Sequence, residues 1–171
     1  MNSKLIKAVQ PIIILGSGPA GISTAVEAIK KGYSSEDILI LEKSNQISSM
    51  IVQKYPDDKP VLANYKGRLA ECIGDMCITD MSKVEFVDYI KNIVIDKKIN
   101  IHFNQHVKKI IKLKNSQFSV QTMTDTYLSD TVFVAIGNMS SPRTLGINIA
   151  SPAAEFLFYD LQQMYLLGNL K

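Results

Sequence analysis

Tryptophan is absent, cysteine and histidine occur twice each, and neither sign of charge dominates. The 19 Lys and Arg against 16 Asp and Glu leave a formal net of +3 over 171 residues. Each scarcity excludes something. Two cysteines cannot make a disulfide-rich scaffold. Neither His102 nor His106 has motif spacing to them, so no metal site is read. A charge of +3 spread over this length leaves no footprint for a nucleic acid. No apolar run approaches the roughly 20 residues needed to span a bilayer, and the first twenty residues lack a secretory architecture. No carboxylate, His or Ser constellation is assembled by spacing, so side-chain acid or base catalysis is not indicated. What is left, at 46% hydrophobic residues, is a folded cytoplasmic domain long enough to bury a proper core.

What is present begins at once. The run from Val9 to Leu15 closes on the unbroken apolar stretch Pro11-Ile12-Ile13-Ile14-Leu15. Without polar alternation it predicts a strand covered on both faces, hence a parallel sheet, with Pro11 as its first residue. Gly16-Ser17-Gly18-Pro19-Ala20-Gly21 follows directly. Ile22, Ala25, Val26 and Ile29 then recur at helical spacing, and Lys30, Lys31 and Gly32 end the helix. Ile38 to Leu41 is a second strand, closed by Glu42. Each residue type has a physical task. Gly16 permits the tight turn, Gly18 admits a pyrophosphate against the backbone, and Gly21 lets helix and sheet pack closely. The unpaired N–H groups of the helix's first turn face the phosphates, and Pro19 fits there because no donor is needed. Glu42, 21 residues beyond Gly21, can accept both hydroxyls of an adenosine ribose and disfavours the 2′-phosphate of NADP. These residues predict a dinucleotide site. They do not by themselves separate FAD from NAD.

Ile12 to Gly21 (IIILGSGPAG) together with Ile38 to Lys43 (ILILEK) resembles the FAD-binding start of pyridine-nucleotide-dependent flavoproteins, the thioredoxin reductases, glutathione-reductase-like enzymes and flavin monooxygenases. The resemblance implies FAD as cofactor, NAD being the alternative, held by Gly16, Ser17, Gly18, Pro19, Ala20, Gly21, Glu42 and Lys43. It covers residues 9 to 143. It implies an α/β, Rossmann-like FAD/NAD(P)-binding domain whose parallel sheet carries a small antiparallel meander as an insertion.

Residues 43 to 65 show little periodicity and read as a long connection with one irregular helical turn. Cys72 and Cys77 are separated by four residues, the spacing of the redox-active disulfide in glutathione-reductase-like enzymes. The resemblance makes them candidates for a catalytic redox pair, although they begin 30 residues after Glu42, farther than that family places them. The bland alternative is two quiet small hydrophobes in an apolar neighbourhood. Ser82 to Glu85 has the form of a capping box and opens a scaffold helix through Val94, followed by a strand at Ile101 to Phe103. Val107 to Leu113, Phe118 to Met123 and Tyr127-Leu128 form the meander. His106, Lys108, Lys109, Lys112 and Lys114 read as the solvated face of its edge strands, since no aromatics interleave them as a nucleic-acid platform requires. Thr131 to Gly137 reads as a further buried strand. It is similar to the family's returning strand, whose terminal glycine, here Gly137, approaches the cofactor.

Ser140 to Arg143 resembles the exit toward a nicotinamide-binding domain, but no second GxGxxG occurs. The expected division is residues 1–150 as a FAD/NAD(P)-binding domain, incomplete relative to the family, and 151–171 as an apolar helical tail. That tail offers an association surface for homo-oligomers. NAD(P)H is then a partner only if its site is supplied from outside this sequence. The expected whole is a FAD-binding oxidoreductase homologue, a fragment or minimal form. An NAD-binding protein and a non-catalytic remnant or interaction module are the alternatives.

Overall fold

A computed structural model describes residues 6–65, 67–69, 71–138, 146–147, 150 and 157–159. The chain builds β1 (Ile6–Leu15), α1 (Pro19–Lys30), β2 (Ile38–Leu41), α2 (Ser49–Lys54), β3 (Pro60–Val61), β4 (Asn64–Tyr65), β5 (Arg68–Leu69), β6 (Met81–Ser82), α3 (Lys83–Asp96), β7 (Asn100–His102), β8 (Val107–Lys112), β9 (Phe118–Thr122) and β10 (Thr126–Val134). One six-stranded sheet, in the order β7-β2-β1-β10-β9-β8, organises the domain. The pairs β7–β2, β2–β1 and β1–β10 are parallel, while β10–β9 and β9–β8 are antiparallel. The fold is therefore the Rossmann-like α/β class, with the meander continuous with the main sheet rather than set apart from it.

The unalternated apolar run of β1 is explained by its place at the centre. Ile12 and Ile14 face one side, where they pack with Ile22 and Val26 of α1 and with Phe86 and Ile90 of α3. Ile13 and Leu15 face the other, against Leu39, Leu41, Val120 and Tyr127. All four β1 residues are at most 4% exposed, so each contributes roughly 1.5–3 kcal/mol of burial. α3 opens as its sequence predicts. The Ser82 hydroxyl accepts from the Glu85 N–H, and the Glu85 carboxylate accepts from the Ser82 N–H.

Three expectations require correction. β1 starts at Ile6, because β10 runs alongside from Thr126. Pro11 consequently lies inside the strand, one residue before the β2 ladder begins at Ile12, so its missing donor costs no bond of that ladder. Tyr127-Leu128 and the strand expected from Thr131 are one element, β10. The polar Ser129-Asp130-Thr131 step reads as a break, yet the Ser129 hydroxyl is satisfied by donating to the Thr131 carbonyl, so the strand runs on. The far half of β10 is also not buried: Phe133 is 43% and Val134 61% exposed. β9 leaves β10 after Ser129, and no other described strand takes its place. Of the expected helical tail over 151–171, only 157–159 are described, and these are not helical. The rest of that tail, and Ser140 to Arg143, lie outside the described residues.

Candidate functional site

The chain passes from β1 to β2 and β7 on one side, then crosses to β10 on the other. The crevice between the carboxyl ends of β1 and β10 is thus a point of reversal, where open α/β sheets leave room for ligands. A cavity of about 690 Å³ opens there, floored by Leu15, Leu41 and Val134 at the strand ends and walled by the first turn of α1.

Three glycines of the β1–α1 turn have different reasons to be glycine. Gly16 takes φ +102°, and a Cβ on it would stand 2.5 Å from the Ala135 carbonyl oxygen. A Cβ on Gly21 would run into the Gly16 carbonyl oxygen. These two are required by the protein itself. Gly18 is not: it caps α1 in extended backbone, φ −76°, and the Cβ it lacks would meet no atom of the described residues within 4 Å. It lines the cavity.

Glu42 is buried at the end of β2. Its Oε2 accepts from the N–H and the hydroxyl of Ser17, and its Oε1 from the N–H and the hydroxyl of Ser44, all at 2.8 Å. Burial pushes the carboxyl pKa up, but these four charge-assisted bonds outweigh it and hold the group below its ordinary value of 4.5. The carboxylate is ionised and pinned at neutral pH.

The cavity receives Gly16, Gly18, Pro19, Ala20, Glu42, Lys43 and Gly137 from the residues expected of it. Ser17 is fully buried and serves Glu42, and Gly21 lies behind the turn; neither lines the cavity. Two walls escape the sequence reading. One is α2, with Ser48, Ser49, Met50, Ile51 and Tyr55. Ser48 adopts a left-handed conformation and donates its N–H to the Ser17 carbonyl at 3.1 Å. Its hydroxyl oxygen, on a residue 3% exposed, has no hydrogen-bond partner among the described residues. The other is Gln105, His106 and Val107, set by the turn after β7 through the Gln105 N–H to the Glu42 carbonyl at 2.8 Å. Placing β7 in a parallel sheet would have found them, since ligands gather at carboxyl ends of strands. His106 belongs to this wall, whereas Lys108, Lys109 and Lys112 lie exposed on the edge strand β8, as expected.

Cys72 and Cys77 are joined in a disulfide. Both are exposed, so the quiet buried alternative does not hold, and neither lines the cavity. No group of three or more metal-ligating side chains occurs among the described residues, and no described helix is long and apolar enough to cross a membrane.

Comparison with known proteins agrees with this geometry. Residues 13–165 match the family model described as pyridine nucleotide-disulphide oxidoreductase. The chain is 29% identical over 139 residues to bacilliredoxin reductase Bdr of Bacillus subtilis, which covers 79% of this chain and 40% of that protein. The bacillithiol disulfide reductase Bdr of Staphylococcus aureus superposes with a TM-score of 0.65 at 25% identity, over 84% of this chain and 43% of that one. Thioredoxin reductase of Streptococcus pyogenes shares the fold, with a TM-score of 0.56 at 23% identity over 82% and 38%. The chain spans about 40% of the length of the relatives it matches. The cradle, the buried acid closing β2 and the 153-residue family match together place this chain in the pyridine nucleotide-disulphide oxidoreductase family.

Proposed function

We propose that this chain is the FAD-binding segment of an NAD(P)H-dependent flavoprotein oxidoreductase, as a fragment or minimal form. Gly18 carries the reading. Nothing among the described residues requires glycine there, and Gly18 lines the cavity. A ligand backed against the main chain supplies the requirement. The orphaned Ser48 hydroxyl at the same cavity supports it, because a buried polar group without a protein partner calls for another.

The residues fit the group. The first-turn N–H groups of α1 and the backbone at Gly18 would hold the pyrophosphate, with Pro19 and Ala20 beside it. Glu42 would take the adenosine ribose, with the Ser17 and Ser44 hydroxyls rotating away so that each carboxylate oxygen can accept a ribose hydroxyl. Their N–H bonds keep the carboxylate in place meanwhile. Lys43 and Gly137 border the same space. FAD, when bound, supplies the electron chemistry.

Residues 1–150 would be this domain and 151–171 a separate tail. A cytoplasmic setting goes with the reading. Since the described residues hold one such turn and no second GxGxxG occurs in the sequence, the nicotinamide donor would be held at a site not evident in them.

The test is direct. Titration of the purified protein with FAD should quench flavin fluorescence at one equivalent, with NAD competing at least about tenfold more weakly. Failure to take up FAD, or preference for NAD, would overturn the assignment. With FAD bound, anaerobic NADPH should bleach the flavin slowly or not at all, and rapid stoichiometric bleaching would reveal a donor site within these residues.

A further inference from the structure

The disulfide sits at the wrong end of α1 for the cavity. Residues 71–80 form neither helix nor strand and lie along the last turns of that helix. Three contacts without sulfur anchor them. The Asp75 N–H donates to Glu27 Oε1 at 2.9 Å, Lys30 Nζ pairs with Asp75 Oδ1 at 2.8 Å, and Met76 packs on the core beneath. Gly74 allows the approach, because a Cβ there would stand 2.6 Å from the Glu27 carboxylate. Glu27 lies nine residues beyond Gly18, about 13 Å along the helix axis from the phosphate-facing turn. No described residue between 56 and 104 lines the cavity.

The bridge adds little to this anchoring. It closes a short loop, with a sequence separation of 5, so its entropic stabilisation is at the low end of what a disulfide gives. It covers no core, since Cys72 and Cys77 are exposed and Ile73 between them is 92% exposed. What it does present is two exposed cysteines beside an exposed apolar side chain, on a loop that Asp75 and Met76 also anchor without sulfur. That is the arrangement thiol–disulfide exchange needs: an accessible sulfur for attack and a scaffold that does not resist the break.

We propose that Cys72–Cys77 is a thiol–disulfide exchange site for external thiols, working independently of the dinucleotide cavity. A thiolate of the incoming molecule bonds to one cysteine sulfur while the other departs as a thiolate. A second thiol then breaks the mixed disulfide. In sum the external thiols are oxidised to a disulfide, and Cys72 and Cys77 gain two electrons and two protons. The proposal does not rest on the flavin assignment.

The test uses the full chain, oxidised and folded, with thiols counted by maleimide mass-tagging. Dithiothreitol, glutathione and reduced thioredoxin are compared as donors. Two thiols should appear without unfolding, at least about tenfold faster than in the free peptide spanning 72–77. Thioredoxin outpacing dithiothreitol at equal concentration assigns a protein dithiol, and glutathione matching it assigns a small thiol. Labelling only after unfolding, labelling before any donor is added, or a rate no higher than the peptide's would overturn the proposal. Saturating FAD should leave the rate unchanged, and reduction by reduced FAD alone would overturn the independence from the cavity. The double variant Cys72→Ser/Cys77→Ser should abolish exchange and keep its FAD affinity within about twofold.

Discussion

The two ends of α1 carry different chemistry for different reasons. Its first turn faces the cavity, and the residues that make it so are contiguous: Gly16 to Gly21 turn, cap and open the helix. Its last turns carry the Cys72–Cys77 loop through Glu27 and Lys30, across a separation of 48 residues for the Asp75–Glu27 bond. At the first end the backbone does the work, and side chains are excluded from it. At the second, side chains do the work on a surface any loop could occupy. The lesson is that a backbone site is written in consecutive residues, while a side-chain site is written wherever the fold brings partners together.

Substitutions can break this contrast. The largest effect is expected from Gly21→Ala, which forces a methyl against the Gly16 carbonyl oxygen; a loss of about 3 kcal/mol in urea denaturation is expected. Glu42→Gln should come next, near 2 kcal/mol, because one amide cannot accept four donors. The same carboxylate sets a pH dependence. Its folded pKa lies below the unfolded value, so its contribution is complete above about pH 4.5 and is lost as pH falls through the folded pKa. Acid titration of the Glu42→Gln variant should lack that component of the melting curve.

Gly18→Ala sharpens the comparison with Gly21. Its methyl would point into open space, so stability should stay within about 0.5 kcal/mol of the parent. FAD affinity should nevertheless fall at least about tenfold. Equal stability losses for the two glycine variants would remove the argument for a ligand at Gly18. The smallest effect belongs to the other end of the helix. Asp75→Asn breaks a solvent-screened pair with Lys30 and should leave the urea midpoint unmoved, while amide exchange across 72–77 accelerates.

How much was legible follows the same division. The β1 turn, Glu42 and the Ser82 cap are each set by short-range rules: a glycine spacing, a strand end, an S-x-x-E box. The bonds from Ser17 to Glu42 were not legible, because the two residues meet only after β1 and β2 lie side by side, whereas Ser44 bonds Glu42 from two residues along the chain. The α2 wall gave no periodic signal in six residues, and Gln105 to Val107 reach the cavity only through β7. The polar step at Ser129 misled because a strand's continuity is decided by its neighbour β1, which pairs with it in register from Leu128 to Val134.

By itself, then, the sequence determined the parallel α/β core, the glycine turn that opens α1 and the acid that closes β2, since period, turn geometry and capping act over a few residues. Tertiary structure alone decided which glycines are held by contacts within the protein and which is not. It also decided that the Ser48 hydroxyl finds no partner among the described residues, and that the two cysteines meet at the surface away from the cavity. Each of those depends on distances between segments that sequence separation does not fix.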